Sequence, residues 1–457
     1  MITHPKKHKK TLFIFRRDLR LDDNIGLIEA IKNSEIIIPM FNFDPMQIGS
    51  KNAYRSMHAI EFMIESLHEL HEQLKEKMGK LYIFYGDPTT TIKSIIKDHN
   101  IDAVFINLDY TPFSMQRDAA ITELCKQHAI HFQGHHDALL IGDPDAIKNS
   151  SGTTYRKYTA FYRAATQQAV AQPKPLPHDY AFYTGSLMGA EDNAYIFKKI
   201  TQQTHVKKKL QNIKKFKEYE TERNFPALDA TTHLSAAHKF GTISIRQSYH
   251  AIAKTLGTSS QLIAELYWRD FFTYFAYHSP HVFGGPFYKK YEQLAWSSNK
   301  KNFNAWRMGT TGFPIVDAGM RQMNATGFMH NRVRMIVASF LVKDLHINWL
   351  WGERYFATQL TDYDPAINNG NWQWIASTGS EAQPYFRIFN PWLQQKKYDP
   401  QCLYIKKWAP ELQNIPNTAL HNWHTHYHNY TETDYPAPMV NHEHEKEISI
   451  SLYKKIA

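Results

Sequence analysis

Cysteine is almost absent from this sequence, since Cys125 and Cys402 are the only two in 457 residues. Two thiols so far apart along the chain indicate neither a disulfide framework nor a zinc site built from cysteines. Long apolar runs are missing as well, and none approaches the length of a membrane-spanning helix. With no secretory signal before the first predicted strand, we expect an enzyme of the reducing cytoplasm.

Several catalytic motifs are also missing. No GxGxxG or GxxxxGK[ST] motif follows a predicted strand, which gives no support to a dinucleotide fingerprint or a P-loop. No Ser/His/Asp or Cys/His set has the spacing of a known hydrolase, so hydrolytic catalysis is disfavoured. The histidines scattered from 421 to 457 lack metal-ligand spacing, and we therefore predict no metal site.

Positive charge and aromatic side chains are plentiful. The formal net charge of +10 suits a polyanionic partner such as nucleic acid. Phenylalanine, tryptophan and tyrosine make up 14% of the residues, enough to fill a large core and still leave aromatic faces for flat ligands. The length of the chain favours two domains.

Apolar runs alternate with helical patterns in the first third of the chain. Continuous apolar strands between amphipathic helices are typical of an open parallel α/β sheet. From about residue 138 the alternation stops, a proline-rich linker covers 171–177, and from about residue 195 the pattern is helical. The predicted strands cover 11–15, 36–43, 81–85, 103–107 and 130–132, and the first predicted helices cover about 25–33, 53–78 and 90–99.

The segment from Phe328 to Met335 combines an apolar stripe with polar groups. Apolar residues recur at spacings of three and four from 333 to 341, which predicts a helix with one buried face. Asn331 and Met335 stand four residues apart, so they share another face and can contact one ligand. Arg332 and Arg334 flank that face, and guanidiniums beside a buried stripe need an anion or a carboxylate.

Carboxylates follow at Asp362 and Asp364, shortly before an aromatic run that ends in Trp372 and Trp374. A structural Arg–Asp ion pair beneath a tryptophan-rich core would explain any one of these residues. The density of polar and aromatic groups over the whole stretch favours a site of chemistry instead.

Three hydroxyls fall within five residues at Thr231, Thr232 and Ser235, where a helix is predicted to begin. Hydroxyls and free amides at a helix N-terminus can bind phosphate. A plain N-cap would explain any one of these side chains equally well.

Glu265, Trp268, Arg269 and Phe272 share one face of another predicted helix. This face sets a carboxylate beside an indole, which suits a flat heterocycle that stacks on Trp268 and accepts or donates a hydrogen bond at Glu265. Packing of Trp268 in the core is the alternative interpretation.

Three other tryptophans, Trp296, Trp349 and Trp372, come from separate helical segments. Spacing along the sequence cannot establish proximity in space. From the residues alone they are candidates for the core.

Four segments of the chain resemble the DNA photolyase and cryptochrome family. They are FIFRRDLRLDDN at 13–24, Trp306 to Gly319, Met329 to Arg332, and Asn368 to Trp374. The resemblance covers nearly the whole chain, and it is greatest to the bacterial class I cyclobutane pyrimidine dimer photolyases.

The resemblance implies a fold of class α/β + all-α. An N-terminal open parallel α/β antenna domain, Rossmann-like in its layers, would cover residues 1–135. A long interdomain linker at 136–200 would join it to an all-helical FAD-binding catalytic domain at 201–430, and residues 431–457 would form a C-terminal tail.

The cofactor implied by this resemblance is FAD, with FADH⁻ as its active form. Arg334 would pair with Asp362 beside the isoalloxazine, with Asp364 near the ring and Asn368 facing flavin N5. The other residues that the resemblance assigns to FAD, mainly around its phosphates, are Tyr219, Thr231, Thr232, His233, Leu234, Ser235 and Tyr363.

The resemblance also implies a pocket for a pyrimidine dimer that is flipped out of the DNA. Glu265 would hydrogen-bond a pyrimidine carbonyl and stabilise the charge that develops there. Trp372, then Trp349, then Trp296 would form the chain that photoreduces the flavin. The residues assigned to the DNA or the lesion, together with Glu265, are Arg223, Trp268, Arg269, Asn331, Arg332, Met335 and Trp374.

The implied function is light-driven repair of DNA by a carbon–carbon lyase. Electron transfer from excited FADH⁻ would split the dimer, and a damaged pair costs less to extrude than intact bases. The partner would be damaged DNA, single- or double-stranded, bound by a monomer in the cytoplasm at the bacterial nucleoid. An antenna chromophore, methenyltetrahydrofolate or a deazaflavin, is also possible by analogy, as is another flavin or none, because Phe113-Ser114 stand where some folate-binding relatives carry Asn-Glu.

Three other functions stay open. Plant cryptochromes, which are blue-light photoreceptors, commonly carry aspartate where this chain has Asn368. Animal-type (6-4) photolyases rely on a histidine pair in the pocket, whereas Asn331 and Met335 fit the dimer enzymes better. A basic nucleic-acid-binding protein without catalysis would carry no flavin.

Overall fold

The computed structural model of the chain describes residues 6–197 and 210–456. The predicted boundary between linker and helical domain, at residues 200 and 201, lies outside the described residues. The described residues form two compact units. The first takes in residues up to 55, 60–215 and 232–280, and the second takes in 56–59, 216–231 and 281 onwards.

The first unit is built on a five-stranded parallel sheet with the strand order β3-β2-β1-β4-β5. In its central strand, Phe13 is in register with Pro39 on one side and Phe105 on the other. Successive residues of this strand are buried from Leu12 to Phe15, as expected where helices cover both faces of a sheet. The strands are β1 His8–Phe15, β2 Ser34–Phe43, β3 Tyr82–Tyr85, β4 Ala103–Asn107 and β5 His131–His135.

Helices begin at start signals that the sequence carries. Asp87 caps α4 by accepting from the backbone N–H of Thr90, and Thr111 caps α5 by accepting from that of Ser114. The helices as far as residue 278 are α1 Ile25–Asn33, α2 Pro45–Ile48, α3 Met57–Glu76, α4 Pro88–His99, α5 Pro112–Gln127, α6 Tyr158–Ala165, α7 Asn193–Phe197, α8 Tyr219–Glu222, α9 Ser235–Phe240, α10 Ile245–Leu256 and α11 Gln261–His278.

Helix α5 has no counterpart among the predicted elements. The side chains that it buries are Ser114, Asp118, Ile121 and Cys125, and two of these are polar. An apolar pattern is therefore weak in the sequence, although the helix forms. The predicted parallel α/β architecture itself is confirmed.

Helices α9 to α11 belong to the same compact unit as the sheet. Buried ion pairs join α10 to the segments that follow β1 and β5. The guanidinium of Arg246 in α10 lies 2.9 Å from Asp23 and 2.8 Å from Asp137, and Arg20 lies 2.6 Å from Asp137. None of these four side chains is more than 5% exposed. Burial raises the pKa of Asp137, but the charges of Arg20 and Arg246 outweigh it and the pKa is lowered.

The second unit is helical, and its core contains buried apolar side chains of α13 to α16 together with the segment that follows α17. Helix α14 passes directly into a π-helical turn, Phe340–Asp344. This completes the predicted combination of a parallel α/β fold with an all-helical one, which is confirmed. The helices are α12 Lys300–Met308, α13 Pro314–Thr326, α14 Asn331–Ser339, α15 Trp349–Gln359, α16 Pro365–Ala376, α17 Pro391–Tyr398, α18 Leu403–Trp408, α19 Asn417–His421, α20 Trp423–His426 and α21 His442–Lys454.

The segment set apart above as a C-terminal tail contains helix α21, which packs on the core of the second unit. His442 Nδ1 lies 2.5 Å from Oδ1 of Asp344, and the hydroxyl of Tyr453 donates to the carbonyl of Ala376 at 2.5 Å.

Among the residues that the structure describes, no helix is both long and apolar enough to cross a membrane.

Replacing Arg246 by methionine is expected to lower the free energy of unfolding by roughly 3–5 kcal/mol, because Asp23 and Asp137 stay buried with fewer cationic partners. The urea unfolding curve measures this loss. Lys32→Met is the control, since the exposed Lys32–Glu29 pair contributes about 0–1 kcal/mol. Equal midpoints for the two variants would show that the buried network adds no net stability.

Candidate functional site

Arg334 and Asp362 form an ion pair within the second unit. Nη2 of Arg334 lies 2.9 Å from Oδ2 of Asp362, and Nε of Arg334 donates to the carbonyl of Met329. The other carboxylate oxygen, Oδ1, is buried and has no hydrogen-bond partner among the described residues. Because an unpaired buried acceptor is costly, a ligand that donates a hydrogen bond would bind favourably there.

Asp364 is the N-cap of helix α16 and so fixes where the first turns of this helix start. Its Oδ1 accepts from the backbone N–H groups of Ala366 and Ile367 at 3.0 and 3.2 Å, and Pro365 occupies the first helical position. One turn later, Asn368 Nδ2 donates to the carbonyl of Glu353 at 3.0 Å. The amide of Asn368 is therefore held in one orientation.

Glu353 is a buried acid that sequence patterns do not single out. It lies on α15 and is only 5% exposed, and burial raises the pKa of its carboxyl to about 7, against the opposing effects of Asn368 and Arg354. In the sequence it is one glutamate among ordinary helix formers. Only the folded packing of α15 reveals it.

Trp372 is buried in the core of the second unit. Its ring lies edge-on to those of Phe356 and Trp306, with centroids 4.9 and 6.3 Å away. Its indole Nε1 has no partner among the described residues. Gly352 of α15 makes room for this ring, because a Cβ at that position would lie 2.2 Å from Cη2 of Trp372.

The two other tryptophans of the predicted electron chain lie at the same core. Trp349 is 2% exposed and belongs to the buried cluster, whereas Trp296 is half-buried and packs against it. The ring centroids of Trp296 and Tyr453 are 6.4 Å apart. Trp349 and Trp372 are thus core residues and Trp296 lies at the edge of the same core, while the electron-transfer role of all three stays a prediction.

Helix α14 carries the predicted face of Asn331 and Met335. Nδ2 of Asn331 lies 3.9 Å from Sδ of Met335, so the two side chains do meet. Asn331 is exposed and Met335 is half-buried, while the apolar stripe from Val333 onwards is buried. Trp374 and Tyr363 are half-buried and pack against the same core.

Arg332 is held in place from two sides. Its Nε and Nη2 donate to Oδ1 of Asn224 at 3.2 and 2.7 Å, and its guanidinium lies 4.4 Å from the ring centroid of Tyr398. A planar cation fixed in this way presents its remaining donors in a defined direction.

A further arginine, Arg387, acts on Arg332, although it is not among the residues predicted to contact DNA. Burial lowers the pKa of Arg332, Tyr398 raises it, and the charges of Arg223 and Arg387 lower it further. Arg332 is thus within electrostatic reach of two other guanidiniums, and a nearby anion would relieve that repulsion. Arg387 is distant from Arg223 and Arg332 in the sequence. The only sequence feature that marks it is its position after the aromatic residues Tyr385 and Phe386.

The hydroxyl segment does not form a plain helix cap. Helix α9 begins at Ser235 with Leu234 as its N-cap, and Leu234 makes no side-chain cap bond. Ser235 is exposed, Thr231 and Thr232 are half-buried, and His233 has a φ of 50°, in the left-handed region that non-glycine residues rarely adopt. The chain therefore follows an irregular path through 231–234, with one residue in an unfavourable conformation just before α9 begins.

Tyr219 and Arg223 are neighbours at helix α8. The guanidinium of Arg223 lies 5.8 Å from the ring centroid of Tyr219. This contact brings a residue assigned to FAD close to a residue assigned to DNA.

Glu265 and Trp268 lie on α11, as predicted. A carboxylate oxygen of Glu265 accepts from Nε2 of Gln261 at 3.0 Å, and the indole of Trp268 is half-buried. Arg269 is directed into its own unit, since Nη1 donates to the carbonyl of Ala138 at 2.6 Å and lies 3.3 Å from the buried Asp270. The geometry gives Arg269 a structural role, and its assignment to DNA stays a prediction.

Metal chemistry finds no support in the described part of the chain. No group of three or more histidine, cysteine, aspartate or glutamate side chains there could hold a metal ion.

The raised pKa of Glu353 predicts that this residue makes the fold less stable as pH rises. Below about pH 4.5 both the folded and the unfolded chain hold the proton, whereas between that pH and about 7 only the folded chain does. Stability should therefore fall by roughly 3 kcal/mol over this interval. In Glu353→Gln that component of the fall should be missing, so the urea midpoints of parent and variant should diverge between pH 5 and pH 8. Parallel pH profiles would contradict the burial of an acid at this position.

Two family models match the chain. Residues 11–178 match the model described as DNA photolyase, and residues 262–455 match the FAD binding domain of DNA photolyase. A deoxyribodipyrimidine photo-lyase from Alkalihalophilus pseudofirmus is 34% identical over 96% of this chain and 97% of its own.

Solved structures agree with these matches. The archaeal photolyase from Sulfolobus tokodaii, crystallised with two FAD molecules, is 40% identical with a TM-score of 0.87, covering 98% of this chain and 100% of that one. A cryptochrome from Synechocystis has a TM-score of 0.88 at 27% identity, covering 99% and 100%. The predicted fold and FAD-binding domain are confirmed, and the chain belongs to the DNA photolyase family.

Proposed function

We propose that this chain is a light-dependent DNA repair enzyme, a deoxyribodipyrimidine photo-lyase that splits cyclobutane pyrimidine dimers. The observation that carries the proposal is the ion pair of Arg334 and Asp362, which keeps one carboxylate oxygen without a partner among the described residues. Curated relatives named deoxyribodipyrimidine photo-lyase match nearly the whole chain. Such an ion pair suits the polar edge of a flavin ring, and the amide of Asn368, held by the carbonyl of Glu353, is proposed to lie near the same ring.

The residues present fit FAD. Oδ1 of Asp362, which lacks a partner among the described residues, can accept a hydrogen bond from a ring N–H, and Arg334 holds the carboxylate in position to do so. Asn368, whose amide N–H donates to the carbonyl of Glu353, would face flavin N5, and Asp364 and Tyr363 would complete the surroundings of the ring. When bound as FADH⁻, FAD supplies on absorption of blue light the electron that opens the cyclobutane ring.

The phosphates of FAD are assigned to the segment before helix α9. Thr232, Leu234 and Ser235 would contact them through hydroxyls and backbone N–H groups, since such groups at a helix N-terminus can bind phosphate. The neighbouring atoms of the cofactor would be held by Tyr219, Thr231 and His233.

DNA binding is assigned to the basic surface and the arginine cluster. Arg223 and Arg332 are predicted contacts, and the structure adds Arg387 to them. A guanidinium that basic neighbours destabilise, as they do Arg332, gains stability when a phosphate binds to it. Affinity should accordingly fall steeply as salt is raised.

The lesion itself is assigned to Glu265 and Trp268 on α11, with Asn331, Met335 and Trp374. Glu265 would hydrogen-bond a pyrimidine carbonyl and stabilise the negative charge that develops there. Asn331 and Met335, which touch each other on α14, would offer one polar and one soft apolar contact to the dimer. The finer expectations of a monomer, of action on both single- and double-stranded DNA and of association with the nucleoid belong to this proposal.

An antenna chromophore is a further part of the proposal. The expected candidates are methenyltetrahydrofolate and a deazaflavin. The Sulfolobus tokodaii relative, with its two FAD molecules, supports a second flavin as another candidate. Chromatography of the chromophores released from purified protein would separate the three, because more than one FAD per chain would indicate the flavin.

The proposed function is tested with an oligonucleotide that carries a single thymine dimer. Blue light should restore the intact sequence, while a dark sample should stay damaged. If the chain binds FAD and absorbs blue light but repairs no dimer, the second candidate function, a cryptochrome-type photoreceptor, would be favoured. The likeness to the Synechocystis cryptochrome supports this alternative. Asn368, where plant cryptochromes commonly have aspartate, favours repair.

Trp372→Phe should block photoreduction of the oxidised flavin and spare repair by enzyme that has been reduced chemically. The reason is that phenylalanine preserves the packing against Phe356 but is far harder to oxidise than an indole. Absorbance changes of the flavin under steady blue light measure the rate. Trp423→Phe is the matched control, because Trp423 is an equally buried tryptophan of the same unit. Photoreduction at the parent rate in Trp372→Phe would place the electron chain elsewhere.

Glu265→Ala should still bind damaged DNA and flavin but repair fewer dimers per absorbed photon. A hydrogen bond that strengthens as negative charge appears on the substrate acts on the reaction more than on binding. Quantum yield and dark affinity, measured on the same preparation, separate the two effects. If the loss appears only in affinity, Glu265 is a binding residue.

A further inference from the structure

Tyr158 lies against helix α11, although it belongs to the segment predicted to be a linker. Its ring stacks on the indole of Trp268 with centroids 3.6 Å apart and planes inclined by 7°. Its hydroxyl donates to the carbonyl of Ala264 at 2.7 Å, one helical turn before Trp268. One side chain thus holds both the indole and the backbone that carries it.

Helix α6 gives Tyr158 a firm base. Phe161 is fully buried and packs against Phe271 and Tyr274, with centroids 5.4 and 5.0 Å away. Tyr162 meets Tyr267 edge-on at 5.3 Å. Because several aromatic contacts fix α6 on α11, the stack between Tyr158 and Trp268 is in place before any ligand arrives.

The stack has a direct consequence for ligand binding at Trp268. Tyr158 covers one face of the indole, and the ring of Phe272 also packs against it with centroids 5.5 Å apart. A pyrimidine base could stack only on the part of the indole that remains exposed. Rotation of the indole is restricted as well, so less side-chain entropy is lost on binding than with a free tryptophan. Burial raises the pKa of Tyr158, with smaller effects from Tyr162 and Glu265.

We propose that Tyr158 is a positioning residue for lesion recognition, which fixes the plane of the Trp268 indole and leaves a pyrimidine dimer only its uncovered surface. This inference rests on the proposed function, since it takes Trp268 as a lesion contact. Tyr158 acts through Trp268 and does not touch the reacting atoms.

Two variants at position 158 separate the ring from the hydroxyl. Tyr158→Leu removes the stack, and Tyr158→Phe retains it while losing the bond to Ala264. Tyr158→Leu should lower the ratio of affinities for dimer-containing over intact DNA by about two- to tenfold, the worth of one aromatic pair. Tyr158→Phe should restore most of that ratio. Fluorescence anisotropy in the dark, with two oligonucleotides that differ only in the dimer, measures it.

A double-mutant cycle with Trp268→Ala distinguishes positioning from general support of the fold. If Tyr158 acts through the indole, Tyr158→Leu should change the affinity ratio no further once Trp268 is alanine. A loss that simply adds to that of Trp268→Ala would overturn the inference, as would an unchanged ratio in Tyr158→Leu alone. A parent protein that does not prefer damaged DNA would instead overturn the proposed function, and this inference with it.

Discussion

Two buried arginines and two buried aspartates decide how the first unit is assembled. Arg20 and Arg246 meet Asp137, and Arg246 also meets Asp23, all at hydrogen-bond distance and away from water. Ions taken out of water are stable only if each finds its partner in good geometry, so these contacts leave little freedom in the placement of α10. Helix α11 follows directly along the chain, and the side chains proposed to meet the lesion depend on that placement.

In the second unit, the polar groups of the proposed flavin site are only partly paired within the protein. Its capping contacts at Asp364 are complete, while Asp362 and Trp372 each keep one buried polar atom without a partner among the described residues. Native proteins rarely leave such atoms unsatisfied, so each one calls for an explanation. For Asp362, the proposed explanation is a hydrogen bond from the flavin ring.

Sequence reasoning went furthest where a pattern is local. Apolar strands, the stripe of α14 and the pairing of Arg334 with a later aspartate all follow from spacing or charge balance. Long-range partners did not follow: Arg387, Glu353 and Tyr158 gain their significance only from neighbours that are distant in sequence. The resemblance to the photolyases assigned roles to residues such as Thr232, which spacing alone could not do, and those roles await the experiments above.

Gly352 has a consequence for anyone who tries to make this protein more robust. Glycine inside an exposed helix is a usual target for replacement by alanine, which gains about 0.5–1 kcal/mol from the smaller entropy of the unfolded chain. Here the added methyl group would meet Trp372 and Leu341 at 2.2 and 2.6 Å, so α15 and α16 would have to move apart. Alanine at position 352 is therefore expected not to stabilise the protein. The absence of a Cβ at Gly352 is what allows α15 to pack closely against the indole of Trp372.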